Sequence, residues 1–483
     1  MTGGLNYDYS VFIPEFFLTG LVVAVVALDL YVPEVKKIWL SYVAAAGLAA
    51  AAAISLAWIN KETDFARIVA IDNYTTYFRV FFMATGAVVC LASGNLVQDK
   101  FRHPGEYYAL IILSTIGAVG MAASRELMTA YLSLELLSFS LYVLVSFGKY
   151  DPRSNEAGLK YLLLGVFSSA MFLYGLSLIY GITGSTYYGV IADGLSGNTA
   201  DFSFALLMGL VLIIAGLGFK VAAVPFHMWT PDAYEGAPVA ITAYLSTTSK
   251  AAGFALLLRL FGGAFQVVHD DWSWMIAGIA AATMLLGNLV ALQQHNIKRL
   301  MAYSSIGQVG YMLMGIAGLS HDTASALVLH MTGYMVSNMA IFVVIIAWYN
   351  LTGREEITDF RGMRERAPLL AGVLAGALFS LAGLPLFAGF VTKFILFQAV
   401  TNAGYFWLAG IAVVTSVISL YYYLVVMRQA FVEAPPEGEE TILPVPMLMN
   451  GLAAALMLGV FYVGLYPQQL FDAVDNATSF LFV

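Results

Sequence analysis

Four ionisable residues stand in settings where charge is expensive. Glu135 lies within Leu132-Ser133-Leu134-Glu135-Leu136-Leu137, and Lys220 ends Gly216-Leu217-Gly218-Phe219-Lys220. Lys250 follows Ser246-Thr247-Thr248-Ser249, and Lys393 follows Gly389-Phe390-Val391-Thr392. A charged side chain at the centre of a bilayer costs about 2.5–3.5 kcal/mol on insertion scales, so such residues face an interior and are functional by default. Burial disfavours a charged ammonium and a nearby carboxylate favours it, so a lysine poised between the two can take up and release a proton. The chemistry these residues support is a proton relay. The competing readings are a structural ion pair for Glu135 and Lys220, and cavity lining for Lys250 and Lys393. His227, His330 and Lys160 are further relay candidates. His330 also reads as a satisfied core histidine, and Lys160 as an interfacial anchor. Asp232 and Glu235 read as helix caps, Arg259 as a snorkelling anchor near a span end, and Glu15 and Asp29 as interfacial groups.

The elements that must hold these groups are membrane helices. Of 483 residues, 60% are hydrophobic and 11% charged, against about 25% charged in a soluble domain. The mean hydropathy is +0.81. Fourteen apolar runs lie at roughly 12–31, 38–58, 75–96, 106–123, 126–147, 157–180, 203–230, 238–261, 272–293, 299–319, 323–350, 368–400, 405–430 and 443–468. Each is near the length that crosses about 30 Å of hydrocarbon as a helix. The first run has no basic segment before it and is expected to be a retained span. Pro225 and Gly383-Leu384-Pro385 predict breaks in spans 7 and 12, since a proline within a span frees backbone carbonyls that only protein or a hydrated cavity can satisfy. His227, seven residues beyond Lys220, is expected on about the same helical face, where its imidazole could pass protons between Lys220 and Lys250. The single cysteine, Cys90, lies in an apolar run, which excludes a disulfide or a cysteine metal site. The net charge of −8 is spread over loops, and no basic face suggests nucleic acid.

Loop charge gives an orientation. With the N-terminus outside, thirteen loop Lys and Arg residues fall inside, including Lys36, Lys37, Lys298, Arg299, Arg364 and Arg366, and three fall outside, Lys61, Arg67 and Arg125. Both termini are then expected on the periplasmic side of a bacterial inner membrane. The fold expected is an all-α polytopic membrane protein of about 14 transmembrane helices with two inverted five-helix repeats. Ala130-Tyr131-Leu132-Ser133 resembles Ala302-Tyr303-Ser304-Ser305 at an offset of 172, and Lys220 and Lys393 are offset by 173, a period of five spans. An odd number of spans inverts the second unit, a recurrent transporter plan. The division expected is 1–105 for helices 1–3, 106–261 for the first repeat, 272–430 for the second, and 443–483 for helix 14. Glu135 shifted by 172 falls on Gly307, so no carboxylate is expected beside Lys393.

Three long stretches resemble a known family. They are Gly216 to Asp232 (GLGFKVAAVPFHMWTPD), Asn296 to Ile306 (NIKRLMAYSSI), and Ser380-Leu381-Ala382-Gly383-Leu384-Pro385 with Gly389-Phe390 and Lys393. They are similar to motifs of the antiporter-like subunits of respiratory complex I and of the related multisubunit cation/proton antiporters. Among the N, M and L types, the absence of a long C-terminal lateral helix separates this chain from L. Lys393 separates it from M, which usually carries glutamate there. The resemblance implies that Glu135 and Lys220 form a coupling pair, Lys250 a central relay and Lys393 an exit-side group. It implies no cofactor in this chain, with FMN, iron–sulfur clusters and quinone on other subunits of the complex. It implies subunits K, M and J and the lateral helix of L as partners, beside lipids and protons. A stand-alone cation/proton antiporter subunit is the alternative function, and a membrane scaffold without conduction is a third.

Overall fold

The computed structural model describes residues 8–196, 203–479 and 481. Both extreme ends of the chain lie outside the described residues. The first helices are α1 (Ile13–Tyr31), α2 (Trp39–Ser55), α3 (Asn73–Lys100), α4 (Pro104–Ala123), α5 (Leu127–Val145), α6 (Pro152–Thr183) and α7 (Tyr188–Leu195). They are followed by α8 (Ser203–Val221), α9 (Trp229–Gly236), α10 (Val239–Tyr244), a π-helical segment Leu245–Ser249, α11 (Lys250–Gly263), α12 (His269–Ala291), α13 (Ile297–Ala317) and α14 (His321–Thr352). The chain ends with α15 (Met363–Arg366), α16 (Pro368–Ala382), α17 (Ala388–Asn402), α18 (Phe406–Phe431), α19 (Met447–Leu465) and α20 (Pro467–Ser479). Among the described residues, eleven helices are long and apolar enough to cross a membrane.

One element departs from an all-α plan. Between α2 and α3, β1 (Thr63–Phe65) pairs antiparallel with β2 (Val69–Ile71), Thr63 opposite Ile71 and Phe65 opposite Val69. The hairpin is a short cap on the loop that the sequence left between spans 2 and 3.

Helix ends are set locally. Asp72 accepts from Thr75 N to start α3, Glu126 from Thr129 N to start α5, and Asn296 from Lys298 N and Arg299 N to start α13. Gly184, Gly353 and Gly383 end α6, α14 and α16 in the left-handed conformation. Without a hydrophobic force between helices in lipid, packing relies on small residues that let backbones approach. A Cβ on Gly117 would lie 2.6 Å from Leu137 N, fixing the α4–α5 approach, and one on Gly287 would lie 2.5 Å from Gly307 N, fixing α12 against α13. Helix α14 is buried along nearly all its length and packs on α3, α10, α13, α16, α17 and α19. It meets α17 and the π-helical segment before α11, and α11 in turn packs on α8.

Candidate functional site

In the first half the site is built on α5 and α8. Helix α8 ends at Val221, and Ala222 takes a left-handed backbone (φ 68°). Pro225 has no N–H to continue the ladder. Beside the break, Phe219 O accepts from Ala222 N at 3.0 Å and also from Trp229 Nε1 at 2.9 Å, and Gly216 O accepts from Ser168 Oγ at 3.1 Å. Lys220, in the last turn, is buried, and its Nζ donates to Ser138 Oγ at 2.9 Å. Ser138 lies one turn beyond Glu135 on α5. The lysine is thus bonded to the serine and makes no ion pair with Glu135, whose Oε1 is buried with no hydrogen-bond partner among the described residues. A cavity of about 10 Å³, room for roughly one water, touches Lys220, Ser138, Ser168 and Ser169.

Because the helix stops at Val221, His227 does not share a helical face with Lys220. It sits half-buried in the turn before α9, its Nδ1 without a hydrogen-bond partner. Lys220 instead lies against the α11 backbone: a Cβ on Gly253, one turn past Lys250, would lie 3.4 Å from Lys220 Cγ.

Lys250 stands where the π-helical segment Leu245–Ser249 meets α11. Single π-turns are rare and frequent at functional sites, since one wider turn re-aims side chains and loosens the ladder. Lys250 Nζ donates to Ser305 Oγ on α13 at 2.6 Å and lies 5.5 Å from the centre of the Tyr234 ring. Thr248 Oγ1 and Ser249 Oγ of the preceding turn and Tyr234 Oη are buried without hydrogen-bond partners among the described residues. A second cavity of about 10 Å³ is lined by Lys250, Thr247, Ser305, Tyr334, Phe81 and Met335.

The third lysine uses the second break. Leu381 O would pair with the N–H of residue 385 in an unbroken helix, but that residue is proline. The freed carbonyl accepts from Lys393 Nζ at 2.7 Å and from Gln308 Nε2 at 3.4 Å. Lys393 also donates to Ser416 Oγ at 3.0 Å and lies 4.9 Å from the centre of the Tyr311 ring. His330 Nδ1 is 3.1 Å from Thr392 Oγ1, beside Lys393, and its Nε2 is buried without a partner. At Gly307, where the repeat would place an acid, a Cβ would meet Asn288 Nδ2 at 2.7 Å. The Asn288 side chain would have to shift to admit a carboxylate there.

Helix α13 joins the two halves. Ser305 holds Lys250, Gln308 shares a carbonyl with Lys393, and Tyr311 presents its ring to Lys393. These three residues recur every third position on one helix face. The sequence held that signal in Ala302-Tyr303-Ser304-Ser305, but only as a repeat landmark.

Other charged groups lie elsewhere than expected. Lys160 is exposed and paired with Glu156 (2.7 Å) and Asp232 (3.0 Å), so it does not line the interior. Arg299 joins Asp232 and Glu235, both at 2.9 Å. Those two acids tie α6, α9 and α13 together; they do not cap helices. Lys160→Ala is expected to change proton transport little, since an exposed pair contributes at most about 1 kcal/mol. A pumping rate that collapses in assembled Lys160→Ala protein would contradict this placement. Arg259 does not snorkel. It is buried and grips Asp72 with two bonds of 2.7 and 2.9 Å. Glu15 likewise pairs with Arg79, a fully buried residue of α3, at 2.8 Å, and Asp29 with Lys37 at 3.0 Å.

Comparison with known proteins shows the family. Residues 124–419 match the family described as NADH:quinone oxidoreductase/Mrp antiporter, TM. A curated relative from Moorella thermoacetica, NADH-quinone oxidoreductase subunit N, is 41% identical over 467 residues, covering 96% of this chain and 98% of that protein. NAD(P)H-quinone oxidoreductase subunit 2 of Gloeothece citriformis is 38% identical, covering 96% of this chain and 93% of its own. A chain of respiratory complex I from Thermus thermophilus superposes with a TM-score of 0.82 at 31% identity, covering 96% of this chain and all of that one. The Mrp complex of Dietzia sp. (TM-score 0.86, 22% identity, 98% of both chains) shares the fold. The chain belongs to the family of NADH-quinone oxidoreductase subunit N, the antiporter-like membrane subunits of complex I.

Proposed function

We propose that this chain is the proton-translocating subunit N of a complex I-type quinone oxidoreductase, and that protons pass along Glu135, Lys220, Lys250 and Lys393. What supports the reading is that the four groups stand in succession, each near the next through a serine, a glycine or the α13 face. Glu135 lies one turn from Ser138, Ser138 holds Lys220, and Lys220 packs on Gly253 beside Lys250. Ser305, Gln308 and Tyr311 of α13 then lead to Lys393. Hydroxyls, a freed carbonyl and water-sized cavities can pass a proton between lysines that each hold it in turn. His330, 3.1 Å from Thr392 Oγ1, and His227, in the turn before α9, are the further relay candidates.

Redox chemistry on other subunits would change the charge near Glu135, shift how strongly Lys220 holds its proton, and so change the proton affinity of Lys250. In this reading FMN, iron–sulfur clusters and quinone belong to those subunits and none binds here. The neighbours are subunits K, M and J and the lateral helix of L. Fourteen spans follow if α10 to α11, α13, and α16 with α17 each cross the membrane beside the eleven. The two five-helix units are then 106–261 and 272–430, inverted, between helices 1–3 (1–105) and helix 14 (443–483). Both ends face the periplasm of a bacterial inner membrane. On the cytoplasmic side a recess of about 600 Å³ reaches the turn Glu235 to Val239, next to Tyr234 below Lys250, and offers a route of uptake.

Lys220→Ala and Glu135→Ala are each expected to lower coupled pumping by roughly ten-fold or more in proteoliposomes, with the complex assembled. Native pumping in either variant would overturn the first half of the path. The alternative, a stand-alone cation/proton antiporter subunit, predicts purification without flavin and iron–sulfur polypeptides. The full-length identity to subunit N relatives favours the first reading.

A further inference from the structure

Lys250 has a second neighbour besides the relay. On the side that the proposed orientation makes outer, a cleft of about 380 Å³ opens between the turn after α2 and helices α3, α14 and α20. Its outer end is formed by Asn60, Asn73 and Asn476, where Asn73 Nδ2 donates to Asn60 Oδ1 at 3.1 Å and to Asn476 Oδ1 at 2.6 Å. Its inner end is formed by Phe81, Ala84 and Met335. Phe81 lies eight residues down α3 from Asn73, a rise of about 12 Å, which brings the cleft to mid-membrane depth. Phe81 and Met335 also line the small cavity that holds Lys250 and Ser305. The same two side chains therefore close the cleft on one side and the lysine cavity on the other.

The walls between the two ends carry groups that can bond water. Thr76 is buried, lines the cleft, and its Oγ1 has no hydrogen-bond partner. Tyr77 Oη lies 2.6 Å from Thr332 Oγ1, one helical turn before Met335. Thr85 ties the inner end together: its Oγ1 is 2.7 Å from Phe81 O and 2.9 Å from Met335 Sδ. One hydroxyl hydrogen can serve only one of those acceptors at a time. The hydroxyl can thus hold the methionine in place or release it to the helix carbonyl.

We propose that this cleft is an outer proton route from Lys250, closed in this conformation by Phe81 and Met335 and latched by Thr85. Apolar constrictions of this kind gate by excluding water. With the pair in place Lys250 exchanges protons only along the α13 face. When Met335 swings away, water reaches from Lys250 past Thr332 and Thr76 to the asparagines. The proposal rests on the relay reading of Lys250, and its test runs without turnover so that the two can fail separately.

The test uses the whole complex in proteoliposomes, without electron donor, under an imposed pH gradient followed by an entrapped pH dye. Co-purification of the flavin and iron–sulfur polypeptides with each variant establishes assembly. Met335→Ala and Phe81→Ala are expected to collapse the gradient several-fold faster than native. Thr85→Val, which keeps the side-chain volume, is expected to leak to a smaller extent. Adding Lys250→Ala to Met335→Ala should restore a tight membrane, because the inner end of the route is gone. Native tightness in both Met335→Ala and Phe81→Ala would overturn the proposal and leave the cleft as a berth for a lipid acyl chain. A leak that persists without Lys250 would overturn it as well.

Discussion

Asp72→Ala is expected to destabilise the folded chain by about 3–5 kcal/mol, the cost of leaving a buried charge without its partner. Arg259 is 3% exposed and Asp72 2%, so neither can turn to solvent when the other is lost. The guanidinium donates twice to Asp72 and also to Ala122 O at 2.9 Å and Thr75 Oγ1 at 3.0 Å, above the Tyr74 ring at 4.6 Å. That one cluster pins α3, α4 and α11, and α11 carries Lys250. Asp72 is also the N-cap of α3, which adds about 1 kcal/mol to the loss. The measurement is the melting temperature and yield of assembled protein in detergent. Asp72→Leu with Arg259→Met should recover part of the loss, because the pair is costly to bury and apolar replacements of both are tolerated. Native stability in Asp72→Ala would mean that the pair is not what joins these helices.

Arg259 also marks where sequence reasoning stops. Its position near a span end reads as a snorkelling anchor, because nothing in the chain order announces that Asp72, 187 residues away, folds beneath it. Arg79 is the same case: buried, paired with Glu15, and not singled out by the sequence. The lysines were legible for the opposite reason. A bilayer penalises charge so strongly that Lys220, Lys250 and Lys393 stand out against apolar neighbours. The two helix breaks were legible because proline acts on its own backbone, at Pro225 and Pro385 alike. The partners of the lysines were not. Ser138, Ser305 and Ser416 are three among many span hydroxyls, and only packing selects them. The π-helical segment before Lys250 left no composition signal, since Leu245–Ser249 reads as ordinary helix. His227 failed for a local reason: a face argument holds only while the helix continues, and this one ends at Val221.

The central claim is that Lys250 gives up its proton in every cycle, and Lys250→Arg tests it with charge preserved. Arginine effectively never deprotonates, whereas a lysine can when buried. Around Lys250 there is a hydroxyl at 2.6 Å, an aromatic ring, and no ion-paired carboxylate among the described residues. Nothing there needs a permanent cation, and a fixed one would stop transfer between Lys220 and Lys393. If the group were only an electrostatic fixture, arginine would serve it and alanine would not. The deciding measurement is the proton-pumping rate of the assembled Lys250→Arg complex in proteoliposomes, set beside Lys250→Ala. A rate as low as that of the alanine variant is the predicted result; pumping at the native rate would contradict the relay.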